Sequence, residues 1–466
     1  MPLSPLSAAD ANTNERQNTF LNEQAHTAKI EEIKESQPHA AAAAGPAEDN
    51  VSQTFGGWFS TSFRYYDNID NQDSLPDFLR WSWNQDLYLW YYLVYHSTHS
   101  VYFQLHNSYV DRGVGPTYNG IGADYEGPTI SMAYYQLNLA PEFNEPLKCT
   151  VGRQYLFLGR GVAYSAVNDG VLLETLRADF YIKAFASKSQ PRQDNVDFSR
   201  PGFDKEGGRF FAGGEISYLG IKPATIYLYG LYQKEISSEN PDTPSQEFDY
   251  DSHYFGAGIA YKLFDALDLW SEAIVERGES FTDSSRTRLR HSDIEAWALL
   301  SGAKYRFEAP THPIVETSYA YGSGDEDRTS VTNTVGGDTD GKDKNFLYFG
   351  YYLTGYALQP RLSNIHIAHV GASFKPLESW GAFENLAVGV KYFFYRKDRI
   401  AGGTSDLEST LPNRDIGEEL NLFAHWKINS NILWSTQFGI FYPGDAYPET
   451  THDHTKYLYS GLTYYF

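Results

Sequence analysis

The chain closes on KYLYSGLTYYF, Lys456 to Phe466. Leu458, Leu462, Tyr464 and Phe466 fall on one face at period two, broken by Ser460. Tyr457, Tyr459, Gly461, Thr463 and Tyr465 fall on the other. Strand side chains alternate between faces in this way. Chain ends are ordinarily polar and frayed. A last strand that stays apolar on one face to its final residue needs an apolar medium outside it.

Composition identifies that medium as lipid. The 466 residues are only 41% hydrophobic yet 16% aromatic, with 37 Tyr, 29 Phe and 9 Trp against 2 Met. A soluble core has little use for so much tyrosine. The rims of a membrane barrel do, because an amphipathic ring sits between headgroup and hydrocarbon. A secreted β-sandwich or propeller is the soluble alternative. No stretch nears the ~18 apolar residues of a membrane helix. A formal charge of −22 excludes nucleic acid as a partner. Cys149 is the only cysteine, so no internal disulfide forms.

From residue 57 onward, segments of about ten residues alternate at period two. In DLYLWYYLVYH, Leu87, Leu89, Tyr91, Leu93 and Tyr95 share a face. In LAVGVKYFFYRK, Leu386, Val388, Val390, Tyr392 and Phe394 oppose Gly389, Lys391, Tyr395 and Lys397. Tight gaps at 96–100, 140–146, 220–223, 264–267, 308–313 and 428–431 take turns with long polar ones at 68–84, 111–129, 188–208, 236–251, 278–292, 323–344, 398–415 and 443–454. This is the rhythm of an up-and-down barrel with short turns at one end and long loops at the other. The rhythm holds only if 168–176 and 179–188 are separate strands, turning near Arg177, although LRAD contains no Gly or Pro. NFLYFGYYL (345–353) must then belong to a loop excursion despite reading as a strand.

The expectation is an all-β transmembrane antiparallel barrel of about 18 strands over residues 57–466. Residues 1–56 form a disordered or weakly helical tail, and both termini lie in the periplasm. The tail has no apolar signal-peptide core. An outer-membrane barrel must be exported, so Met1 is not expected to be the natural start of the exported chain.

No nucleophile elbow, zinc-protease helix or phosphate loop is present, and no cofactor or enzyme activity is expected. THDHTK (451–456) and the acidic stretches GSGDEDRTS and GGDTDGKDK read as solvated loops before metal sites. Alternation places Arg64, Lys183, Lys391 and Lys427 in the lumen, together with Glu215, Glu272, Glu276 and Glu316. A purely basic lumen does not follow from that set.

A sharper pattern is VGRQYLFLGRGVAYSAVNDGVLLE (151–174). Gly152-Arg153-Gln154 followed by Asp169-Gly170 resembles the signature of the alginate export family of outer-membrane barrels. YAYGSGDED (319–327) resembles that family's strand-to-loop segment, and IGEELNLFAHWKINSNILWSTQFGIFYPGD (416–445) its closing hairpin. There Glu419, Pro443, Gly444 and Asp445 match, and Asn421 stands where an Asp is expected. The resemblance implies passive export of an anionic, alginate-like polyuronate through a charged constriction, with Arg153, Asp169 and Glu419 among the pore-lining residues. Expected partners are outer-membrane lipid, the polysaccharide, periplasmic export components, and the barrel-assembly machinery acting on the Phe466 strand. The alternative on the same scaffold is a general or substrate-specific nutrient-uptake porin.

Overall fold

The computed structural model describes residues 51–69, 71, 72, 77, 79–96, 98–115, 122–139, 147–190, 208–236, 250–282, 290–328, 331 and 341–466. Residues 1–50 of the expected tail lie outside them. The strands are β1 (Val51–Asp67), β2 (Leu79–Tyr95), β3 (His99–Val114), β4 (Ala123–Leu139), β5 (Leu147–Phe157), β6 (Ser165–Arg177), β7 (Phe180–Lys188), β8 (Arg209–Tyr218), β9 (Ala224–Glu235) and β10 (Tyr250–Leu263). There follow β11 (Leu267–Thr282), β12 (Arg290–Arg306), β13 (Ile314–Gly322), β14 (Lys342–Asp343), β15 (Ile365–Phe374), β16 (Leu386–Lys397), β17 (Asp415–Lys427), β18 (Ile432–Pro443) and β19 (Thr455–Tyr465). β1 therefore starts at Val51, inside the segment assigned to the tail.

Consecutive strands pair antiparallel. β13 pairs with β15, and the two-residue β14 lies parallel beside β12. β19 returns to β1 from Trp58↔Tyr465 to Asp67↔Lys456, closing an 18-strand barrel. Closure removes the sheet edges that a bilayer cannot tolerate. Phe466 completes the seam: its N–H donates to Gly57 O at 3.0 Å, and Gly57 N–H donates to Phe466 O at 2.9 Å. Its side chain is 52% exposed on the outer face, alongside Leu462 and Tyr464. The apolar rows face outward, and no second sheet or α-helix covers them among the described residues.

Short turns and long loops occupy opposite ends. The turn expected near Arg177 is there, between β6 and β7. Ala178 adopts φ 49, so a tight hairpin forms without Gly or Pro, which is why the local signal was weak.

Two long-loop segments enter the barrel. The first is the β5–β6 hairpin. β4 follows β5 only as far as Ala133↔Arg153, and β7 follows β6 only as far as Asp169↔Lys188. Beyond those points β5 and β6 pair with each other alone, to Phe157↔Ser165. The freed hairpin turns into the lumen, where Leu158 and Tyr164 are 0% exposed. Gly152 sits at the departure point with φ +126, and a Cβ there would lie 2.3 Å from Ala133 O, so the bend requires glycine. On the outward side of the bend, Arg153 Nε and Nη2 donate to Asp169 Oδ1 and Oδ2 at 2.8 and 3.0 Å. Its Nη1 donates to Ile130 O on β4 at 2.8 Å. The pair lies beside the exposed Val151 and Val171, so Arg153 and Asp169 do not line the pore as expected. They clamp the bend from outside.

The second segment is a strap, residues 344–364. NFLYFGYYL lies in it as non-strand chain inside the barrel. The strap touches the hairpin through Phe349 N–H to Ala163 O (3.0 Å) and Tyr351 N–H to Gly161 O (2.9 Å). Hairpin, strap and wall enclose an apolar cluster that includes Leu158, Tyr164, Tyr254, Ile274, Phe346, Leu362, Tyr395 and Phe441. Part of the lumen is thus packed like a protein core.

Wall carboxylates dock both segments. Glu215 accepts Gly159 N–H at 2.8 Å, and Glu272 accepts Arg160 N–H at 2.9 Å. Glu276 accepts Leu347 N–H at 2.9 Å. Glu419 accepts Tyr356, Ala357 and Leu358 N–H at 2.5, 2.9 and 2.9 Å. Glu272, Glu276 and Glu419 are 0% exposed, where an unsatisfied charge would cost several kcal/mol.

Two outcomes follow. Asp169→Ala should lower stability by about 1 kcal/mol, read as a reduced denaturant midpoint. The 49% exposure of the Asp169 side chain keeps the loss below that of a buried pair, and an unchanged midpoint would contradict the clamp. Glu419→Ala should strip three amides of their acceptor, destabilise by about 3 kcal/mol and raise single-channel conductance as the strap detaches. Conductance equal to the parent would place the strap's anchor elsewhere.

Candidate pore and its constriction

Register carries one face right round the ring, from β1 through β19 and back to β1. Arg64, Lys183, Lys391, Glu419 and Lys427 share the inward face. So do Glu215, Glu272, Glu276 and Glu316, as alternation indicated. Arg153 and Asp169 share the outward face.

The inward residues do different jobs. Glu419 is a docking post for the strap. Lys183 Nζ lies 3.2 Å from Glu215 directly opposite it on β8, and 3.8 Å from the centroid of the Phe157 ring on the hairpin. Lys391 Nζ lies 2.7 Å from Glu316 Oε1. Gly371 stands between these two in the register, and a Cβ there would sit 3.1 Å from the Lys391 chain and 3.3 Å from that of Glu316. Arg64 is buried, its guanidinium 6.0 Å from the Tyr459 ring centroid. Lys427 is exposed at the short-turn end of β17.

Further pairs cancel more wall charge: Arg209 with Glu235 at 2.9 Å, and Arg328 with Asp343. Across β8–β9 the Arg209 partner is again the residue opposite. Lys183, Lys391 and Arg209 are thus neutralised by carboxylates of nearby strands.

Arg160 differs, and the sequence reading missed it. It sits at the hairpin tip between Gly159 and Gly161. Its backbone N–H is bound by Glu272, and its guanidinium carbon lies 4.9 Å from the Trp270 ring centroid. The side chain is exposed, and it makes no ion pair with any described residue. Trp270 occupies an inward position on β11, opposite Gly302. A cation held over an aromatic face keeps its charge and its planar donor fork for a passing anion. GRG in a hairpin was the available signal, but only the inward bend gives it meaning.

A cluster with catalytic side-chain types also faces the lumen. Ser318 Oγ lies 2.7 Å from His369 Nδ1, and His369 Nε2 lies 3.8 Å from Glu316 Oε1. That separation is beyond hydrogen-bond range. Lys391 holds the carboxylate instead, so no hydrogen-bonded relay connects the three. Among the described residues no group of His, Cys, Asp and Glu could hold a metal ion. In the acidic segment after β13, Asp325 caps backbone N–H groups of Lys344 (2.9 Å) and Asp327 (3.3 Å), a structural use. Burial beside Asp327 pushes the Asp325 carboxyl up to about 6. Most of GGDTDGKDK lies outside the described residues.

Solved structures of similar fold come from Pseudomonas aeruginosa. OccK9 (OpdG) matches with a TM-score of 0.54 at 12% identity, covering 89% of this chain and 98% of that one. OccK8 (OprE) matches at 0.53 and 10%, with 89% and 98% covered. OccK5 (OpdH) matches at 0.52 and 11%, again with 89% and 98% covered. At such identities the likeness concerns the barrel alone. No curated protein matches the chain in sequence. A family model described as alginate export matches residues 102–460, most of the barrel. The chain belongs to the alginate export family of outer-membrane barrels.

Proposed function

We propose that the protein is a passive channel exporting an anionic, alginate-like polysaccharide across the outer membrane. Family membership supports the substrate class. The observation that carries the mechanism is Arg160, a cation delivered by the hairpin into the lumen and held over Trp270, while Lys183 and Lys391 of the wall are each paired with a carboxylate. A polyuronate carries about one carboxylate per sugar. A single exposed guanidinium at the narrowing, with Lys427 at the mouth, attracts such a chain without binding it at every step. Paired wall cations stiffen the barrel, and the Glu272 carboxylate that binds the Arg160 amide tempers the pull of the tip on a passing anion. The energy for movement is supplied elsewhere.

In this reading the short turns and both termini face the periplasm, and the long loops face outward. The chain enters at the Lys427 end, handed over by periplasmic export components. The barrel-assembly machinery engages β19, whose apolar row ends at Phe466. The protein has no catalytic role.

A second reading is uptake of a small anionic solute. The narrowing by hairpin and strap favours it, and a solved neighbour, OpdK, carries vanillate. Single-channel recordings separate the two. Oligouronates added at the short-turn side should block transiently and cross. Arg160→Ala should shorten the block about tenfold, and Arg160→Lys should restore part of it. Oligouronates that neither block nor cross, while small carboxylates permeate, would replace export with uptake.

A further inference from the structure

Beneath the inward hairpin the wall of β3–β7 holds a cavity of about 240 Å³. Two stacked aromatic pairs line it. Tyr102 and Tyr134 belong to the wall, with ring centroids 5.2 Å apart. Tyr155 and Phe157 belong to the hairpin, with centroids 5.7 Å apart. The cavity exists because the hairpin bends: in a straight wall, Tyr155 and Phe157 would face outward with Arg153. The bend brings them back over the lumenal surface.

Two acceptors of the polar lining have spare capacity. Gln154 Nε2 is spent on Thr150 O (3.2 Å) and Gly170 O (3.3 Å), while its Oε1 accepts no hydrogen bond from a described residue. Glu174 Oε1 takes the Tyr181 hydroxyl, and its Oε2 takes no bond from one either. The cation of the cavity, Lys183, is paired with Glu215. Such a lining favours a ligand rich in O–H donors and carrying no negative charge, because Glu174 repels a carboxylate. Lys183 in turn disfavours a cationic ligand. Ring faces on two sides favour a flat, partly apolar ring. At about 30 Å³ per water, the volume equals about eight waters, the scale of one sugar ring.

We propose that this cavity is a sugar subsite of the channel, taking one uncharged pyranose residue. Its ring packs between the Tyr102–Tyr134 and Tyr155–Phe157 pairs, and its hydroxyls donate to Gln154 and Glu174. The site is chemically opposite to Arg160, which selects carboxylate. A chain containing both neutral and acidic sugars would use both, so the subsite extends the cargo beyond a pure polyuronate.

The test is single-channel recording with β-1,4-mannohexaose, beside the hexamer of the same ring oxidised to the carboxylate at C6. Mannohexaose should interrupt the current in resolvable events. Tyr134→Leu and Gln154→Leu should each shorten those events about tenfold. The two variants probe wall and hairpin separately, and the unblocked conductance of each reports that the barrel has formed. Blocks by the carboxylate hexamer should be unmoved in both. Absence of mannohexaose block, or dwell times unchanged in both variants, overturns the subsite. If the carboxylate hexamer fails to block while mannohexaose still does, the export reading falls and the subsite stands.

Discussion

Everything inside this barrel depends on buried carboxylates finding donors. Glu272, Glu276 and Glu419 project from the wall into space closed to water. A carboxylate there is tolerable only if its lone pairs are filled. Tyrosine hydroxyls fill some of them: Tyr227 and Tyr229 donate to Glu272 at 2.6 and 2.8 Å, and Tyr254 donates to Glu276 at 2.8 Å. Backbone amides of the hairpin and strap fill the rest. The loops need the same bonds, because chain packed inside a barrel has N–H groups that no strand partner satisfies. Wall and loops thus meet each other's requirements, which fixes where the loops sit.

The same economy accounts for the charge pattern. Lys183–Glu215 and Arg209–Glu235 are opposite-strand neighbours, and Lys391–Glu316 reaches across a glycine. These pairs hold the wall together and contribute little net field. The tip of an inward loop is the place where a cation can act on a passing chain without a strand neighbour to neutralise it. Arg160 occupies that place.

The barrel was legible because period-two alternation is a local property that lipid and water impose on every strand. Closure was legible in Leu462, Tyr464 and Phe466 for the same reason. The β6–β7 turn needed the global rhythm, since Ala178 takes its left-handed conformation without a glycine to announce it. The site was harder to read. Arg153 and Asp169 share a face in any extended hairpin, but which face depends on where neighbouring strands stop pairing, and that is a long-range fact. Residues 345–353 read as a strand because they are rich in aromatic side chains, and those side chains are used inside the lumen: Phe346 and Phe349 both pack on Tyr254 of the wall. An apolar, aromatic run reports burial and does not say that the surroundings are lipid.

Hydrogen–deuterium exchange of the lipid-reconstituted protein tests the central claim most directly. Peptides covering 158–164 and 347–358 should exchange as slowly as the strands, because their amides end on buried wall carboxylates and on each other. Exchange as rapid as that of exposed turns such as 428–431 would mean that the segments do not dwell inside the barrel, and the account of the lumen would be wrong.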